Sequence, residues 1–295
     1  MRTFAAAVVV SMLFAPTSLF AWGEKGHVII NRVAIDAAYP KLPEFMNTDR
    51  EHVIFNGFEP DRWRTEGRSP MNIAQEVDHY FDSEQWGSFS TLPVDRYSFI
   101  KQLTERKGDL RIGYLPYAII ENYGRLVNAF RYWRNAKNPA DRESLSANAV
   151  YVAGVLGHYV GDGSQPMHVT IHLNGWSTRV PNPKNFTTEP GIHSRYETAY
   201  VNAAIDINSV KPNVRIPDRL PNVWDSIKQY LSYSFAELEP MYEMEKAGEF
   251  NPEKPRAKGT EFIAAELSRA STMLAALWYT AWLESGEPVR KPNAN

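Results

Sequence analysis

Seven histidines stand in the 295-residue chain, and the carboxylates near them say more than the histidines alone. His158 and Asp162 lie four residues apart, as do His193 and Glu197. On a helix that spacing stacks two side chains one turn apart, so a single cation can be held by both. His168 follows the first pair closely, and His79 sits between carboxylates in Val77-Asp-His-Tyr-Phe-Asp82. One such pair is commonly a surface contact worth about 0.2–0.5 kcal/mol. Two pairs with two further histidines need another explanation, because imidazoles and carboxylates on apolar helices are costly to bury unless something satisfies them. The chain has no cysteine, so the donors on offer are nitrogen and oxygen, a set that suits Zn2+ in tetrahedral or five-fold coordination. His52, among Asp49, Arg50 and Glu51, reads as a solvated surface histidine. His172 is four after His168, but Pro166, Asn174 and Gly175 predict irregular backbone there, so a supporting or structural role is expected.

Helical spacing supplies the elements that must position these groups. Apolar residues recur at steps of three and four in Ile119, Tyr123, Leu126, Phe130 and Trp133, and again from Leu220 through Trp224, Ile227, Leu231 and Phe235 to Leu238. The clearest run is Ile263, Leu267, Ala270, Leu274, Leu277 and Ala281, closed by Gly286 at a helix end. Tyr151, Val155, His158 and Asp162 fall on one face of a further helix. Strand signals are weak. Clusters of proline, glycine and asparagine predict loops over 40–75, 172–190 and 248–258. The expectation is an all-α fold, one multi-helix bundle with long loops and no internal repeat.

Composition narrows the field further. Hydrophobic residues make up 43% and charged residues 22%, the balance of a packed protein. A formal net charge of −2 excludes a polybasic protein that grips long nucleic acid by bulk electrostatics. Arg2, the apolar run Phe4 to Phe14 and the break at Pro16, Thr17 and Ser18 predict a secretory signal over 1–21, cut after Ala21. The expected mature domain is 22–295, exported to the periplasm or secreted.

Five motifs together resemble a known family. They are Trp22-Gly-Glu-Lys-Gly-His27, Glu59-Pro-Asp-Arg-Trp-Arg64, Asp78-His-Tyr-Phe-Asp82, Gly157-His-Tyr-Val-Gly-Asp-Gly-Ser-Gln-Pro-Met-His168 and His193-x-x-x-Glu197. Over Trp22 to about Tyr200 the chain resembles the zinc-dependent phospholipase C and single-strand-specific nuclease superfamily. The resemblance implies a helical bundle around a cleft with three zinc ions. Asp61, His79, His158 and Asp162 would hold one. The α-amine freed at Trp22, its carbonyl, His27 and Asp162 would hold another, and His168, His193 and Glu197 the third.

The implied reaction is phosphodiester hydrolysis by water activated between zinc ions. Asp61, Asp162 and Arg64 would serve catalysis, and the surplus positive charge of the ions would favour an anionic substrate. The Trp22–His27 spacing and Arg64 resemble the nuclease branch, whereas Glu197 resembles the bacterial phospholipases. The expected substrate is single-stranded DNA, RNA or a nucleotide, cut to leave 5′-phosphates, with 3′-nucleotidase activity alongside. Phospholipid is the less favoured substrate, and no obligate protein partner is inferred. Arg64 would contact phosphate, while Tyr80 and Trp176 are candidates for stacking an unpaired base. The alternatives are a zinc-dependent phospholipase C and a non-catalytic zinc-binding helical protein.

Overall fold

Several prolines in this chain sit in the first turn of a helix rather than in a loop. In the computed structural model, which describes residues 22–64 and 69–288, α1 (Gly23–Ala38) is followed by α2 (Glu44–Thr48), α3 (Arg50–Phe55), α4 (Glu59–Arg62) and α5 (Pro70–Glu76). The loop expected over 40–75 is thereby corrected to a run of short helices. Pro43 flanks the start of α2, and Pro60 and Pro70 sit in the first turns of α4 and α5. A missing N–H costs nothing in a first turn, and the fixed φ of proline suits it. His52 rides on α3 rather than in a loop, and it is exposed as expected. The signal expected over 1–21 lies outside the described residues.

The chain continues through α6 (Ser83–Trp86) and α7 (Arg96–Glu105) to the long pair α8 (Leu115–Asn135) and α9 (Pro139–Ser164). Asn138 caps α9 by accepting the N–H of Ala140, and Pro139 opens its first turn. After the loop over 172–190 come α10 (Ile192–Ser194), a π-helical turn over Arg195–Tyr200, α11 (Val201–Ala204) and α12 (Ile207–Val210). The chain ends in α13 (Val223–Ala236), α14 (Leu238–Lys246) and α15 (Ala257–Ser285). The stripe read from Leu220 to Leu238 is thus divided: Leu220 precedes α13, and Leu238 opens α14. Among the described residues there is no strand, only an isolated bridge between Leu173 and Gly175. The fold is all-α.

One hydrophobic core runs from Trp22 to Ala281. α15 packs against α1, α8 and α9, and α13 packs against α8 and α9. Trp278 on α15 donates its indole N–H to the Ala153 carbonyl of α9 at 3.1 Å. α9 is graded along its axis. Its first two turns are largely exposed and Ala149 and Val150 are buried; Tyr151 is again exposed, and every residue from Ala153 to Ser164 is buried. The one-faced helix expected over 151–162 is therefore a helix whose C-terminal half is enclosed on all sides.

Glycines let α1 come close to that enclosed half. A Cβ on Gly157 would stand 1.9 Å from Asn31 Oδ1, and one on Gly161 would stand 2.8 Å from His27 Nδ1. His27 and Asn31 are themselves four apart on α1, so two glycines one turn apart form a notch for two polar side chains. Asn31 Nδ2 then donates to the carbonyls of Val53 (2.9 Å) and Gly154 (3.2 Å), joining α1, α3 and α9.

Candidate metal centre

The fold gathers eight of the histidines and carboxylates singled out in the sequence into three neighbouring groups. They are His27 with His158 and Asp162, Asp61 with His79 and His158, and His168 with His193 and Glu197, and all eight side chains are buried. α1 brings His27, α4 brings Asp61, and the enclosed half of α9 brings His158 and Asp162. His193 precedes the π-helical turn that carries Glu197, and the pair still meets, with Nε2 and Oε2 2.6 Å apart.

Backbone carbonyls fix which nitrogen of three histidines carries the proton. Nδ1 of His158 donates to the Gly57 carbonyl at 3.0 Å, that of His168 to His79 at 2.6 Å, and that of His193 to Leu173 at 2.7 Å. A carbonyl only accepts, so these rings are protonated at Nδ1 and, when neutral, present bare Nε2 lone pairs to the cluster. His158 Nε2 lies 3.0 Å from His79 Nδ1 and 3.4 Å from Asp162 Oδ2. The Nε2 atoms of His168 and His193 face each other at 3.0 Å. Lone pairs held this close repel unless a proton or a cation lies between them. Locking the outer nitrogen on a carbonyl is also how metal-binding histidines are oriented.

The segment 79–84 holds two of the groups in register. The His79 carbonyl accepts from His168, Phe81 N–H donates to the His168 carbonyl at 2.8 Å, and Ser83 Oγ donates to the Val169 carbonyl at 2.7 Å. Gly113, with φ +93°, passes so near that a Cβ would stand 2.1 Å from the Tyr80 carbonyl.

Burial drives the electrostatics. It raises the pKa of Asp162 well above the carboxylate range, with the neighbouring Asp61 adding to the effect. Asp61 itself is pushed up to about 8 by burial, against the pull of Arg64. Burial holds His79, His158 and His168 well below the usual imidazole range. It also disfavours charge on His193, but the facing Glu197 carboxylate outweighs it and the pKa rises. Among the described residues, Asp61 Oδ2, His79 Nε2, Asp162 Oδ1 and Glu197 Oε1 are buried with no hydrogen-bond partner. Orphaned acceptors in a dry cluster are expensive, and divalent cations satisfy them. With only nitrogen and oxygen donors, the residues present fit zinc.

No family model matches this chain, and no curated protein matches it. Solved structures do. Among eight matching chains is the alpha toxin from Clostridium absonum, at 14% identity and a TM-score of 0.47, covering 90% of this chain and 67% of the toxin.

The remaining predicted residues lie at differing distances from the cluster. Trp22 is fully buried, and its indole N–H donates to the Gly161 carbonyl (2.9 Å) and to Ser164 Oγ (2.8 Å), one turn or less from Asp162. Its carbonyl accepts the Gly26 N–H at 3.1 Å. Arg64 pairs with Asp61 at 3.2 Å, and its positive charge acts on members of all three groups. Tyr80 is half-buried and anchored by its hydroxyl on the Arg111 carbonyl. Trp176 is drawn into an aromatic cluster, stacked on His172 at 3.7 Å between ring centroids, with Phe186 and Tyr242 beside it at 4.9 and 5.4 Å. His172 joins none of the three groups. Its Nδ1 accepts the Ser177 N–H at 2.9 Å, a structural role in the loop over 172–190.

Asn31, Gly113 and the glycine notch on α9 were not singled out by type or spacing. The signal that could have found the notch is Gly157-x-x-x-Gly161 beside a ligand pair, since repeated glycine inside a buried helix marks close approach by another element.

Proposed function

We propose that this chain is an exported zinc-dependent phosphodiesterase that cuts single-stranded DNA or RNA and releases 5′-phosphate ends. The observation that carries the reading is the convergence of bare imidazole nitrogens and partnerless carboxylate oxygens in three adjoining buried groups. Bound zinc would supply Lewis acidity toward phosphoryl oxygens and make water a competent nucleophile near neutral pH. The residues do the rest. His158, His168 and His193, locked on backbone carbonyls, would hold their donors in place without reorganisation. Asp61 and Asp162 would balance charge on the ions. Arg64, poised beside Asp61, would bind a phosphate oxygen and stabilise the charge that grows on it in the transition state.

Two features favour a chain that starts at Trp22. Its buried side chain is anchored one turn from the ligands. In the longer chain it has φ +46°, a left-handed conformation that costs a tryptophan energy. A chain beginning at Trp22 has no φ there, so cleavage would remove that cost and free an amine for metal. Tyr80, fixed next to His79, would stack an unpaired base. Trp176, already stacked on His172 and packed beside Phe186 and Tyr242, is the weaker candidate for that role.

The test offers purified protein beginning at Trp22 single-stranded DNA, RNA and phosphatidylcholine vesicles, before and after chelation. Chelator-sensitive cleavage of nucleic acid is expected. Glu197 favours the phospholipase reading, which would appear as vesicle turnover that single-stranded DNA does not compete away. Bound zinc without hydrolysis of bis(p-nitrophenyl) phosphate would leave a non-catalytic zinc protein. One extra residue ahead of Trp22 is expected to remove most activity, and full activity in that protein would take Trp22 out of the metal shell.

A further inference from the structure

A helix leaves its last four carbonyls without helical partners, and buried ones must be satisfied from elsewhere. α9 ends in the interior, and its last turn carries Asp162. Gly161 O accepts from the Trp22 indole at 2.9 Å, and Asp162 O accepts the Gln165 N–H at 3.0 Å. Gly163 O accepts from Ser234 Oγ of α13 at 2.5 Å, and Ser164 O accepts from Arg269 Nη2 of α15 at 3.2 Å. Arg269 reaches the same place twice, because its Nη1 donates to Ser234 Oγ at 3.0 Å. The guanidinium is itself held by an ion pair with Glu266, which is 2% exposed. Its positive charge thus sits at the negative end of the helix dipole.

We propose that Arg269, steadied by Glu266, is a positioning residue for the metal centre: it closes the C-terminus of α9 and so sets where Asp162 and the Trp22 indole stand. The proposal rests on the metal reading above. Arg269 and Glu266 touch none of the candidate ligands directly; they act through the Ser164 carbonyl and through Ser234. On their outer side the pair lines a cleft of about 610 Å3, together with Tyr230, Tyr233 and Met273. A side chain removed at 269 would therefore leave a space that small solutes can reach.

The experiment measures zinc retention by chelator competition, with far-UV circular dichroism alongside, in the protein beginning at Trp22. Arg269→Ala is expected to give up zinc with about tenfold lower affinity, Arg269→Lys to fall between it and the parent, and Met273→Ala to stay within about twofold. Millimolar ethylguanidinium should restore the Arg269→Ala protein, whereas ethylammonium should not. Zinc held by Arg269→Ala as tightly as by the parent would overturn the proposal, as would equal loss in Met273→Ala or equal rescue by ethylammonium. If Arg269→Ala fails to fold, Arg269→Lys decides between the outcomes, and parental affinity there counts against the proposal. A parent protein that binds no zinc would instead defeat the metal reading itself.

Discussion

The Nε2 atoms of His168 and His193 stand 3.0 Å apart with the Glu197 carboxylate beside them, an arrangement that is comfortable only around a positive charge. His168→Ala should therefore lower the bound zinc by about one ion per chain while the other two groups keep theirs, as read by elemental analysis. Tyr80→Ala should keep its zinc and lose about 1–3 kcal/mol of nucleotide affinity by titration; unchanged binding would remove the stacking role. His158 with Asp162 and His193 with Glu197 were legible at this scale because histidine beside carboxylate at helical spacing is a chemical pattern, whereas His27 and Asp61 came only from the resemblance. What fixes each ring was not legible. The carbonyls of Gly57, His79 and Leu173 do that, and a backbone oxygen carries no signature in a sequence.

Between elements, close approach matters more than apolar area. Gly157→Ala would drive a methyl group into Asn31 and should destabilise the fold by about 1–3 kcal/mol, seen as an earlier denaturant midpoint. Asp36 on α1 offers a test of pairing. Burial opposes its charge, but Lys211 and Arg50 outweigh that and lower its pKa. Its contribution is full above the unfolded carboxylate pKa of about 3.9 and is lost as pH falls through the lower folded value. Asp36→Asn should thus melt earlier than the parent at pH 7, by about 1–3 °C, with the gap closing below that pKa. The long helices were legible because Ile119 to Trp133 and Ile263 to Ala281 keep a clean period. The short helices of 40–75 were not, since proline at a helix start and proline in a loop look alike until the cap is seen. The enclosure of α9 also escaped, because its glycines read as neither face nor core.

Across the whole molecule the cluster ties α1, α4, α9 and the turn after α10 into one knot, so metal and fold should be coupled. Removing zinc is expected to lower the melting midpoint by about 10 °C or more for a protein of this size, measured calorimetrically with and without chelator. The same layout has a bearing on how the protein is made. A nascent chain that has emerged as far as Tyr200 already carries every candidate donor, but α13 and α15, which supply Ser234 and Arg269 to the end of α9, are still to come. If Arg269 positions the centre as proposed, zinc should be held at full affinity only once α15 has been made. A chain clipped ahead of Ala257 would carry all the donors and Ser234 but lack Arg269, the half of the proposed support that α15 supplies.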